Sequence, residues 1–130
     1  MSMLQDEVRG FLEAAGFGII EARDGFLVAD RQSFGGDREI RLLWVPPTSE
    51  RVDDFPALER NLLTSIRAET PRYLNPRGTI VTANLEGFSR DFRAEVQGLG
   101  VSFRVPVQFF DAPFTNPSTI YLTFPAADGI

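Results

Sequence analysis

The chain contains no cysteine, no histidine and no lysine, and all 13 of its basic residues are arginine. Without cysteine there are no disulfides, no thiolate nucleophiles and no thiolate metal ligands. Without histidine and lysine the imidazole and amine bases are gone, and arginine does not replace them because its pKa stays above about 12. Carboxylates, hydroxyls and tyrosine remain, which leaves carboxylate-held metal as the one common hydrolytic strategy open to the chain. No apolar run reaches the roughly 18 residues that a membrane span requires. The start "MSMLQDEVRG" lacks a basic region followed by an apolar one, so a cytoplasmic protein without a signal peptide is expected. Positive charge is in deficit too. A net charge of −5 weighs against a nucleic-acid partner, since neutralising phosphates dominates such binding.

What is present suits one globular domain. The 130 residues are 43% hydrophobic and include 12 Phe, enough to build a core without a staple. In "MLQDEVRGFLEAAGF" the residues Leu4, Val8, Phe11, Leu12 and Ala15 recur at helical spacing, and Gly16 ends the helix. "FGIIEARDGFLVADR" predicts two strands joined at Asp24-Gly25, and "REIRLLWV" a third. In that third strand Ile40, Leu42 and Trp44 should face one way, and Arg41, Leu43 and Val45 the other. Asp53 or Asp54 caps a second helix with Pro56 in its first turn and Phe55, Leu58, Leu62, Ile66 and Tyr73 inward. "GTIVTANL" reads as a buried strand. A helix follows, capped by Ser89 and closed by Gly100, with Phe92, Val96 and Leu99 inward. "VSFRVPVQFF" alternates Val101, Phe103, Val105, Val107 and Phe109, and Pro106 assigns that strand to a sheet edge or a bulge. The order α-β-β-β-α-β-α-β predicts an α/β sandwich whose later strands pair in parallel.

This order, and above all "RGTIVTANLEGFSRDFRAEVQGLGVSFRV" at residues 77–105 with "AAGF" at 14–17, resembles the restriction-endonuclease-like superfamily, in particular its Mrr-like members. The resemblance covers roughly residues 4–110 and implies a three-layer sandwich around a mixed five-stranded sheet. It assigns residues 1–112 to that domain and 113–130 to a linker or an extra edge strand. "RVPVQFFDAPF", residues 104–114, also resembles the close of N-terminal modules of bacterial STAND (NLR-like) conflict-system proteins.

In the superfamily an acid on the second strand and an acid-x-lysine on the third hold a divalent metal and activate water. Matched hairpin to hairpin, the first acid falls near Phe26 or Leu27 and the acid and lysine on Leu42 to Val45, all apolar. The resemblance therefore implies a pseudo-nuclease without cofactor, an interaction or sensing module for a protein partner, a neighbouring domain or a second copy. Phe110, Phe114 and Tyr121 are the candidate contact residues. The alternative is a divergent Mg²⁺- or Mn²⁺-dependent nuclease using Asp30, Glu39 and Arg41, with Glu21 as a further ligand. Against that alternative, Asp30, Asp37, Glu39 and Arg41 also read as a solvated rim of weak ion pairs. Arg90, Arg93 and Arg104 form a weaker phosphate-binding candidate, interrupted by Asp91 and Glu95.

Overall fold

Helix α1, Met3–Ala14, buries Val8 and Leu12 one turn apart. It ends as the glycine signal predicts. Gly16 adopts φ +91°, Phe17 N–H donates to Leu12 O (2.9 Å) and Gly16 N–H donates to Glu13 O (3.1 Å), the paired bonds of a Schellman cap. This is a computed structural model, describing residues 3–23, 25–32, 36, 38–45, 53–73 and 77–111. Strands β1, Gly18–Arg23, and β2, Phe26–Gln32, form the expected hairpin, with Gly25 at φ +82° in its turn. Gln5 of α1, fully buried, clamps that turn: its Nε2 donates to Arg23 O (2.7 Å) and its Oε1 accepts from Gly25 N–H (3.0 Å).

Strand β3, Arg38–Trp44, is followed by helix α2, Phe55–Glu69, which Asp54 caps by accepting from Ala57 N–H (3.0 Å). A 3₁₀ turn, Thr70–Tyr73, leads to β4, Arg77–Asn84. Helix α3, Arg90–Phe103, starts at Ser89, whose Oγ accepts from Phe92 N–H (3.1 Å), and β5, Val107–Asp111, completes the described elements. The sheet runs β1-β2-β3-β4-β5, antiparallel across β1–β2–β3 and parallel across β3–β4–β5. This is an α/β fold with an open mixed sheet and, among the described residues, three α-helices, compatible with a three-layer sandwich. Trp44 reaches Ser65 of α2 on one face of the sheet, and Arg31 reaches the Ala15 carbonyl behind α1 on the other. No helix of the described residues is long and apolar enough to cross a membrane.

Two expectations about the last segment are corrected. Residues 101–103 belong to the final turn of α3 rather than to a strand, and Val101 is 79% exposed. Gly100 does not close the helix. Arg104 does, in the left-handed conformation (φ 59°), with Arg104 N–H on Val101 O (3.2 Å) and Val105 N–H on Gly100 O (2.9 Å). Gly100 serves packing instead, because a Cβ there would run into Val107 and the Val105 carbonyl. Pro106 lies just ahead of β5 and is asked only to accept, from Ile80 N–H (2.9 Å), while β5 lies at the sheet edge as predicted. Residues 113–130, the expected linker or added strand, lie outside the described residues.

Candidate functional site

The β2–β3 pair carries Asp30, Glu39 and Arg41, together with the apolar positions Phe26, Leu27 and Leu42 to Trp44. At one end the pairs Phe26–Trp44, Leu27–Leu43 and Val28–Leu42 are in register. All six side chains, with Val45, are at most 5% exposed. The Phe26 and Trp44 rings sit 5.0 Å apart, and Trp44 Nε1–H donates to Ser65 Oγ (2.8 Å), so the indole is a satisfied core group. Alternation along β3 is as predicted, with Ile40, Leu42 and Trp44 sharing a face and Arg41, Leu43 and Val45 presenting the other. Hydrocarbon thus fills both faces at this end of the pair.

The other end is ionic, and its register decides what it can hold. Asp30 pairs with Ile40, whereas Arg31 pairs with Glu39. Successive residues of a strand point to opposite faces, so Asp30 lies on the α2 side and Glu39 on the α1 side. Each acid has its own cation. Asp30 is bridged to Arg38; Glu39 Oε2 takes Arg31 Nε (3.1 Å) and Arg41 Nη2 (3.5 Å). Glu21 accepts from the Tyr73 hydroxyl and pairs with Arg23 (3.0 Å), which also holds Glu69 (3.1 Å). The trio named for a metal, Asp30, Glu39 and Glu21, is therefore not brought together. Among the described residues there is no group of three or more acidic side chains placed to share an ion.

The solvated rim expected of Asp30, Asp37, Glu39 and Arg41 is not what the described members form: the Asp30 side chain is 21% exposed, about as covered as Glu39, and Asp37 lies outside the described residues. Arg38 is half-exposed beside Asp30, but the Arg31, Arg41 and Glu39 side chains are only 6%, 12% and 20% exposed. Phe17, just past the α1 cap, explains the difference: its ring lies 4.2 Å from the Arg31 guanidinium carbon and 5.4 Å from that of Arg41. Arg31 Nη1 also donates to Ala15 O (2.8 Å) at the negative end of α1. Burial pushes the Arg41 pKa down, with the Arg31 charge acting in the same direction and Glu39 opposing. On the α2 face the Tyr73 pKa is pushed up, first by its hydrogen bond to Glu21, then by burial and by the Glu21 charge. Sequence reasoning overlooked Arg31 and Phe17. The available signal was a second arginine next to Asp30, whose partner only the strand register reveals.

The proposed contact residues fare differently. Phe110 is 1% exposed, a core side chain and not a surface one, because its position on β5 turns it onto the sheet next to Ala83. Phe114 and Tyr121 lie outside the described residues, as does Asp37. Arg90 and Arg104 are exposed and far apart on α3, while Arg93 reaches back to Asn84 Oδ1 (3.3 Å), so the arginine patch is dispersed. A groove of about 530 Å³ runs between α2 and α3, floored by Leu63 and Phe92 and walled by Glu59, Arg60, Arg67 and Glu95. Comparisons with protein-family models, with curated proteins and with solved structures returned no match.

Proposed function

We propose that this chain is a non-catalytic module of restriction-endonuclease-like architecture, acting through protein contacts in a bacterial defence protein. The observation that carries the reading is the separation of the acids. Metal-assisted hydrolysis needs hard oxygen ligands converging on one ion. Here Asp30 and Glu39 stand on opposite faces of the sheet, each engaged by arginine, and the neighbouring positions are hydrocarbon. The order α-β-β-β-α-β-α-β and the parallel β3–β4–β5 half support the architectural part. The assignment to a STAND-type conflict system rests on the likeness of residues 104–114.

The test is calorimetry with Mg²⁺ and Mn²⁺ together with cleavage assays on single- and double-stranded DNA and on RNA, for the wild type and Glu39→Ala. The module reading expects no metal heat and no cleavage in either protein. Metal-dependent cleavage lost in Glu39→Ala would replace it with the divergent nuclease. Contact through the tail is tested separately by truncation after Asp111: a shift in oligomeric state by light scattering is expected, and an unchanged monomer counts against that contact surface.

A further inference from the structure

Among the described residues, the ionic cluster on the α1 face is not neutral. Arg31 and Arg41 share one carboxylate, Glu39, which leaves an excess of one positive charge among side chains that are 6%, 12% and 20% exposed. The two arginines are also unequally satisfied. Arg31 places Nε on Glu39 (3.1 Å) and Nη1 on Ala15 O (2.8 Å). Arg41 has only two long bonds, Nη1 to its neighbour's carbonyl Ile40 O (3.4 Å) and Nη2 to Glu39 (3.5 Å). Its Nε is buried and has no partner. Nε–H and one Nη2–H of a guanidinium point the same way and form the fork that grips two oxygens of one oxyanion. In Arg41 one prong of that fork is empty and the other is held only at long range.

A buried, underbonded cation is costly, and the economical remedy is an anion with two oxygens. From the empty prong and the charge excess, the geometry points to a site for a single oxyanion group, a phosphate or a carboxylate, held bidentately by Nε and Nη2 of Arg41. Arg31 supplies the second positive charge. Thr79, paired with Arg41 in the β3–β4 register, lines the same face. The Phe17 ring covers the guanidiniums and limits competition from water. The Arg41 pKa is pushed down first by burial, with Glu39 opposing and Arg31 adding to the fall, as befits a desolvated guanidinium. Nothing in this site requires the module reading above, and the cleavage assay does not bear on it.

The experiment is a titration of the ¹⁵N-labelled chain with inorganic phosphate and, separately, with acetate, at constant ionic strength against chloride. It is read on the arginine Nε–H resonances and on the thermal midpoint. The expected result is a saturable shift of the Arg41 Nε–H signal, larger than that of Arg31, with a parallel rise in midpoint. The arm that saturates at lower concentration assigns the ligand as phosphate or carboxylate. Arg41→Lys keeps the charge but loses the fork, and its affinity should fall about tenfold or more, the loss of one charge-assisted bond. Should that variant fail to fold, the wild-type resonances still decide. Linear, unsaturating shifts in both arms, or an Arg41→Lys protein that binds as tightly as the wild type, would overturn the site.

Discussion

The two ends of the β2–β3 pair make opposite use of the same strand geometry. At the Phe26–Trp44 end, hydrocarbon projects to both faces, and burial of each large side chain contributes about 1.5–3 kcal/mol without needing a particular partner. At the Gln32–Arg38 end Asp30, Arg31, Arg38, Glu39 and Arg41 are charged, and the value of each depends on its partner. The first end tolerates no truncation but is chemically inert. The second can be rewritten, because an ion cluster of this kind is replaceable by hydrocarbon once all its members go together.

The largest expected effect comes from breaking the hydrocarbon end. Trp44→Ala removes a side chain that is 1% exposed and leaves the Ser65 hydroxyl without its donor, so a loss of about 3–5 kcal/mol is expected. Urea unfolding followed by far-ultraviolet dichroism measures it. A loss under 1.5 kcal/mol, the size of a volume-conserving core swap, would mean that this end is loosely packed.

Next comes the buried half of the ionic end. Glu39→Ala strands two guanidiniums that are 6% and 12% exposed, and should cost about 2–4 kcal/mol, somewhat less than for a fully desolvated pair. The sharper measurement adds the triple variant Arg31→Met, Glu39→Leu, Arg41→Met, expected to be neutral or more stable than the wild type. If the triple variant is as unstable as Glu39→Ala, the cluster is not interchangeable with hydrocarbon and the contrast between the two ends fails.

Much of this contrast was legible in the sequence, and the part that was not has a definite cause. Caps and turns are local, so Ser89, Gly16 and Gly25 announced themselves within a few residues, and the cap of α2 was narrowed to Asp53 or Asp54. The period of two along β3 likewise separated Ile40, Leu42 and Trp44 from Arg41, Leu43 and Val45. Register between strands is not local. That Arg31, and not Asp30, stands opposite Glu39 follows only once β2 and β3 are paired, and this one-residue difference separates a shared carboxylate site from two unrelated ion pairs. Residues 101–103 were ambiguous for another reason. Val101 and Phe103 fit a strand alternation as well as a helix end, and the close approach of Gly100 to Val107 that favours the helix is a tertiary contact.

A smaller effect is expected where β1 is tied to the 3₁₀ turn after α2. Tyr73→Phe removes the hydroxyl that donates to Glu21, at a cost of about 1 kcal/mol near neutrality. The folded Tyr73 pKa is raised relative to the unfolded chain, so this contribution is fully present below about pH 10 and is lost as pH rises through the folded value. The stability difference between wild type and Tyr73→Phe should therefore stay flat up to that pH and shrink above it. A difference that grows with alkali would place the tyrosine's advantage in its ionised form and contradict the bond to Glu21.

The smallest effect belongs to Asp30, and it is the most exacting check on the comparison because Asp30 and Glu39 are near neighbours on adjacent strands. Asp30 faces Arg38, whose side chain is 51% exposed, so water and salt screen the pair from one side. Asp30→Asn keeps the shape and removes the charge, and should cost less than about 1 kcal/mol, a cost that fades further as salt is added. Glu39→Gln, the matching change on the other face, removes the carboxylate between two buried guanidiniums and should cost more, with little dependence on salt. Urea unfolding of both variants at low and high sodium chloride measures the two slopes together. Equal costs with equal salt dependence would mean that Phe17 and the α1 cap do not shield their side of the sheet, and the α1 face would then be as solvated as the rim beside it.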